Sequence, residues 1–89
     1  MDNSEVLCQS EGIERVELDD GVVLEHDGRV HVLNATAKEI FDLVDGSRAR
    51  DTVVQAMCTA YGTEEMRETV LKFVHQLMQS QLIHESNSL

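Results

Sequence analysis

An α+β domain, a three-stranded antiparallel β-sheet followed by three α-helices, is the fold that this 89-residue sequence predicts. Three observations carry that reading. Between residues 13 and 33 the chain is cut into short β-branched runs punctuated by Asp-Asp-Gly and Asp-Gly, the strongest local hairpin signal. From Asn34 onward the apolar spacing switches from two to three and four, which is helical. The helical stretch is then divided by Asp45-Gly46 and by Gly62, residues that stop helices.

The elements follow in order. Ile13-Glu14-Arg15-Val16-Glu17-Leu18 is the first strand, and Asp19-Asp20-Gly21 turns the chain into the second, Val22-Val23-Leu24-Glu25-His26. Asp27-Gly28 then turns it into the third, Arg29 to Leu33. Alternation puts Val30 and Val32 on one face of that strand and Arg29, His31 and Leu33 on the other. As the last strand of a meander it is an edge. Asn34 is a good N-cap for helix one, in which Ala37, Ile40, Phe41 and Val44 recur. Asp51 or a neighbour starts helix two, with Val53, Val54, Met57 and Tyr61 on its apolar side. Thr63 caps helix three, where Glu64 and Glu65 suit the positive end of the helix dipole.

Helix three has two apolar rows. Met66, Val70, Phe73 and Leu77 form one core-facing stripe, and Leu71, Val74 and Met78 lie beside it. A helix with a single partner needs only one of them. Residues 1–12 have few apolar side chains and no period, which predicts a flexible acidic N-terminal arm ahead of a domain over 13–84. Residues 85–89 are expected to be a disordered tail.

Composition narrows the function. Seventeen acids against seven bases leave a formal charge of −10, which opposes any ligand held by neutralising phosphates and so argues against nucleic acid. Residues 1–28 hold nine acids and one base, Arg15. No apolar run approaches a membrane span, and the start MDNSEVLCQS lacks the basic end and apolar stretch of a signal peptide. A cytoplasmic location is expected, with no membrane partner. Cys8 and Cys58 stand fifty residues apart without a CxxC grouping, so Cys58 reads as a core residue and Cys8 as a surface thiol.

Catalytic chemistry is not evident. His26, His31, His75 and His84 show no i, i+4 pairing and no accompanying ligands, so no metal site is expected. The glycines form no phosphate loop, and the pairs Asp19-Asp20 and Glu64-Glu65 belong to a turn and a helix start. What the sequence offers instead is an edge strand beside a helix with surplus apolar surface. An unpaired edge presents free N–H and C=O groups that an extended peptide can complete, with side-chain pockets alongside.

An ordered set of residues resembles the PqqD-like family. It comprises the run Gly28 to Ala37, then Ile40, Leu43-Val44-Asp45-Gly46, Val53 and Val54, Val70-Leu71-Lys72-Phe73-Val74, Leu77, and Leu82-Ile83. The resemblance covers about two thirds of the chain, and departs from the family near its end, where Gln81 stands in place of a common glycine. It implies a winged helix-turn-helix-like fold and a stand-alone recognition element for ribosomally synthesised and modified peptides, without catalysis or cofactor. The leader of a precursor peptide is expected to add as a strand beside Arg29 to Leu33, in the groove next to helix three, so that a modifying enzyme or leader peptidase meets the core peptide. Carried onto this chain, Val30, His31 and Val32 are expected to supply the backbone pairing. The helix face is drawn from Arg67, Val70, Leu71, Val74 and Met78, and Arg67, Lys72 and Arg29 are placed to meet acidic leader positions. Phe73, Leu77, Leu33, Ile40, Phe41, Val44 and Val70 are read mostly as core, Arg48 and Arg50 as solvated. A small adaptor that binds another protein through the same groove is the main alternative. A winged helix that reads DNA suits the fold, but helix three sets Arg67 and Lys72 against Glu64, Glu65 and Glu68.

Overall fold

The computed structural model describes residues 5–87. In order, the elements are β1 (Glu5–Gln9), β2 (Glu14–Leu18), β3 (Gly21–His26), β4 (Arg29–Asn34), α1 (Ala35–Leu43), α2 (Arg50–Tyr61), α3 (Met66–Gln79) and β5 (Ile83–Asn87). Strands β2, β3 and β4 form the expected antiparallel meander, with β4 at its edge. The β3–β4 turn has Asp27 at φ 59° and Gly28 at φ 80°, the two positive values of a type I′ hairpin, whose twist matches that of the flanking strands. Gly21 answers to a close approach: a Cβ there would collide with the carbonyl oxygen of Leu33.

A second sheet departs from the expectation. Glu5–Gln9 pairs antiparallel with Ile83–Asn87, Leu7 facing Glu85, where a flexible arm over 1–12 and a disordered tail over 85–89 were expected. Residues 1–4 and 88–89 of those two segments lie outside the described residues. The cause is Leu7, whose side chain is fully buried and whose backbone is tied to the loop after α1. Its N–H donates to the Arg48 carbonyl at 2.8 Å, and its carbonyl accepts from the Gly46 N–H at 3.0 Å. Ser10 N–H donates to the Leu82 carbonyl at 2.9 Å. Residues 5–10 are thereby fixed to the loop after α1 and to the segment after α3.

The N-cap of α1 and the C-cap of α2 agree with the sequence reading. Asn34 Oδ1 accepts from the Ala37 N–H at 2.9 Å, satisfying one of the free donors at the start of α1. Gly62, at φ 73°, ends α2 in the left-handed conformation. Thr63, expected to cap helix three, instead closes the turn ahead of it: its Oγ1 accepts from the Glu65 N–H at 3.0 Å, and α3 starts at Met66 with Glu65 at its N-cap and no side-chain cap bond. After α1, Asp45 Oδ1 accepts from the Ser47 hydroxyl at 2.6 Å and the Ser47 N–H at 3.0 Å. These bonds, the hydroxyl first, hold the Asp45 carboxyl below its ordinary range, with help from Arg48.

The core lies between the inner face of the meander and the three helices. Leu24, Ile40, Phe41, Met57 and Leu82 are fully shut off from solvent, and so are the expected Val44 and Val70, with Leu33 and Leu77 also buried. Cys58 is buried and Cys8 half-buried, both as free thiols. Phe73 differs from its core assignment: it is only half-buried, packed against the core from outside. On the sheet's inner side Arg15 donates to Asp42 at 2.9 Å and to Glu17 at 2.7 Å, and Lys38 lies 3.3 Å from Glu17. The charges of that face are thus paired across to α1.

Candidate functional site: the open edge of β4 and its groove

Hairpin geometry fixes which way the backbone of β4 points. A two-residue I′ loop closes on a hydrogen-bonded pair, and such pairs alternate with non-bonded ones along an antiparallel ladder. His26 faces Arg29, Leu24 faces His31 and Val22 faces Leu33, so Arg29, His31 and Leu33 direct their N–H and C=O groups to β3. Val30 and Val32 face Glu25 and Val23 in the non-bonded positions, so their N–H and C=O groups point away, to the open edge. His31 was expected to join in edge pairing. Its backbone is committed to β3 instead, and its contribution is its side chain.

Beside that edge lies a groove of about 240 Å³ between β4 and α3. His31, Val32, Leu33 and Asn34 line one wall, Phe73, Gln76, Leu77 and Ser80 the other, with Ala37 and Leu82 completing it. Leu33, Ala37, Phe73, Leu77 and Leu82 give the groove its apolar lining, while His31, Asn34, Gln76 and Ser80 supply polar groups, the mixture that suits a peptide with alternating side chains.

The helix face is the main correction. At about 100° per residue, the positions near Phe73 on α3 are 76, 77 and 80, whereas 67, 71 and 78 fall roughly 120–160° away. The surroundings agree. Arg67 donates to Glu64 and to Gln55 of α2, each at 3.4 Å. Met78 Sδ is 3.8 Å from Arg50 Nη2, which also bonds Glu85 of β5 at 2.8 Å. Arg67 therefore sits toward α2 and Met78 toward Arg50 and β5, Leu71 shares their side of the helix away from the groove, and Arg67 and Leu71 are exposed. Val70 and Val74 are buried in the core and present no surface. Lys72 is exposed one turn before Gln76, at the outer rim of the groove, and Arg29 is exposed at the start of β4.

The residues missed were Gln76 and Ser80, together with Phe73, which was assigned to the core. Their signal was present as a spacing of three and four, Phe73-Gln76-Leu77-Ser80, but polar members hid the row. A larger cleft of about 460 Å³ lies between α1 and α2, lined by Glu39, Asp42, Leu43, Met57 and Tyr61 among others. There the Tyr61 hydroxyl donates to Glu39 at 2.9 Å. It has no free backbone edge. Among the described residues no group of three or more His, Cys, Asp or Glu is placed to hold a metal ion, and no helix is long and apolar enough to cross a membrane.

Comparison with known proteins gives a consistent outcome. The family model described as coenzyme PQQ synthesis protein D matches residues 14–83. A solved structure described as TbiB1 in complex with the TbiA(beta) leader peptide superposes with a TM-score of 0.70 at 26% identity, covering 86% of this chain and 94% of that one. The structure of the heterocyclase TruD superposes with a TM-score of 0.64 at 18% identity, covering 92% of this chain and 12% of that one. At that identity the second likeness concerns the fold alone. No curated protein matches the chain.

Proposed function

The chain belongs to the PqqD family, and we propose that it binds the leader segment of a ribosomally synthesised precursor peptide by strand addition to β4, beside α3. The observation that carries this reading is the outward backbone of Val30 and Val32, opening on the groove lined by Phe73, Gln76, Leu77 and Ser80. An extended peptide would complete both residues' hydrogen bonds and place alternate side chains over Leu33 and Phe73. The similarity to a protein solved with a leader peptide supports the same ligand class.

The domain acts without catalysis of its own, as a winged helix-turn-helix-like recognition element in the cytoplasm. It presents the core peptide to a modifying enzyme or leader peptidase. Arg29 and Lys72, at the two rims, meet acidic leader positions, and His31 lines the groove from the strand side. An amide-shift titration of labelled protein with the leader encoded beside its gene tests the reading. Saturable shifts over residues 29–34 and 73–80 are expected. Shifts confined to the α1–α2 cleft, or none with any neighbouring precursor, refute it.

A further inference from the structure

The outer face of the meander carries an apolar patch that a leader strand added to β4 would border only along Val30 and Val32. Val16, Val23 and Val32 stand in one cross-strand row, with Leu18 and Val30 beside them. Exposures are 62% for Val16, 44% for Leu18, 66% for Val30 and 69% for Val32. These are four of the six large apolar side chains that the described residues expose; the others, Tyr61 and Leu71, stand apart on helices. Contiguous apolar surface on a small domain marks an interaction site. Apart from Val32, which also lines the groove, the face points away from it, because His31 and Leu33 occupy the opposite side of β4.

The rim identifies the occupant. Glu14 and Glu25 face each other at one end of the patch, and Asp19, Asp20 and Asp27 stand in its two turns. None of these five carboxylates takes part in an ion pair among the described residues, whereas on the inner face of the same strand Glu17 is paired with Arg15 and Lys38. An apolar centre inside an uncompensated acidic rim complements an apolar patch bordered by Lys and Arg. A second copy of this chain would bring acid against acid at a net charge of −10 each. Anionic lipid and nucleic acid are opposed by the same charges.

We propose that this face docks a basic-rimmed apolar patch on the enzyme that modifies the presented peptide, so that enzyme and leader are held on opposite sides of β4. This rests on the leader-binding reading. The test uses the purified modifying enzyme encoded beside this chain's gene, and compares wild type with Val16→Thr/Leu18→Thr and with Glu14→Gln/Glu25→Gln. All four positions lie off the groove, and threonine keeps strand propensity. Circular dichroism establishes that the variants fold. Expected are a loss of enzyme affinity of tenfold or more in the apolar pair, a smaller loss with a weaker salt dependence in the acid pair, and leader affinity within twofold of wild type in both. Enzyme affinity unchanged in both variants, or no enzyme binding by leader-saturated wild type, overturns the proposal. So does a wild-type dimer in sedimentation that Val16→Thr/Leu18→Thr dissociates. Loss of enzyme binding in the variants combined with no leader binding by wild type upholds the docking face and refutes the leader reading alone.

Discussion

Val32→Pro separates the edge of β4 from its interior. By the register of the hairpin, the Val32 N–H faces the open edge while the His31 N–H is bonded to β3. Proline at 32 removes a donor that the folded protein does not use, and proline is tolerated on the free side of an edge strand. Its preceding residue is already extended, as proline requires. The loss therefore falls on the bound state. A leader carbonyl that would have accepted from this N–H is brought beside the proline ring without a partner. Leaving a buried acceptor unsatisfied costs about 1–3 kcal/mol, which corresponds to roughly a 5- to 150-fold rise in Kd. His31→Pro makes the opposite change, removing a bond inside the β3–β4 ladder, and is expected to lower stability first. Leader titration by calorimetry, with thermal melts of both variants, distinguishes them. Wild-type leader affinity in both variants, each shown to be folded, refutes strand addition at this edge. Weakened binding by a fully stable His31→Pro, with Val32→Pro unaffected, shows that the bonding parity is reversed.

Three further outcomes follow from the groove, the second sheet and the turn after α1. Phe73→Ala is expected to weaken leader binding at least tenfold, with a stability loss of about 2 kcal/mol, roughly half that of a fully buried ring; Leu71→Ala, on the far side of α3, leaves affinity unchanged. Calorimetry with the same leader peptide checks both. Leu7→Ala is expected to cost about 2–5 kcal/mol, as for a buried leucine in a core, read as a shift in the urea midpoint at constant slope; a change under about 0.5 kcal/mol, the range of an ordinary surface site, means that β1 is dispensable. The Asp45 carboxyl, held below its ordinary range by Ser47 and Arg48, supports the turn above the unfolded value of 3.8 and releases it as pH falls through the lower folded value. Ser47→Ala should raise the Asp45 titration midpoint measured by NMR, and an unmoved midpoint removes the hydroxyl from that account.

What the sequence made legible was local. Asp27-Gly28 announces a hairpin because few other dipeptides accept two positive φ angles, and Asn34, Gly62 and the aliphatic period from Ala37 to Val44 each have one good structural use. The β1–β5 pairing joins the two ends of the chain, and its strands, EVLCQ and IHESN, have neither strict alternation nor a turn between them. Nothing short of the tertiary fold shows that Leu7 has a hole to fill. The face of α3 was misassigned for a different reason. Two apolar rows run along this helix, and the helical period orders them without saying which one meets a neighbour. The core took Val70, Val74 and Leu77, α2 and β5 took the side of Arg67 and Met78, and the groove received the mixed row of Phe73, Gln76, Leu77 and Ser80. A surface that binds a peptide reversibly, the role proposed for this groove, must remain soluble when empty, and polar members in the row would serve that need. The same requirement hides such a row from any search for continuous hydrophobicity. The dependable signal at this site is therefore the backbone parity of β4, which depends on a two-residue turn and not on which side chains occupy the strand.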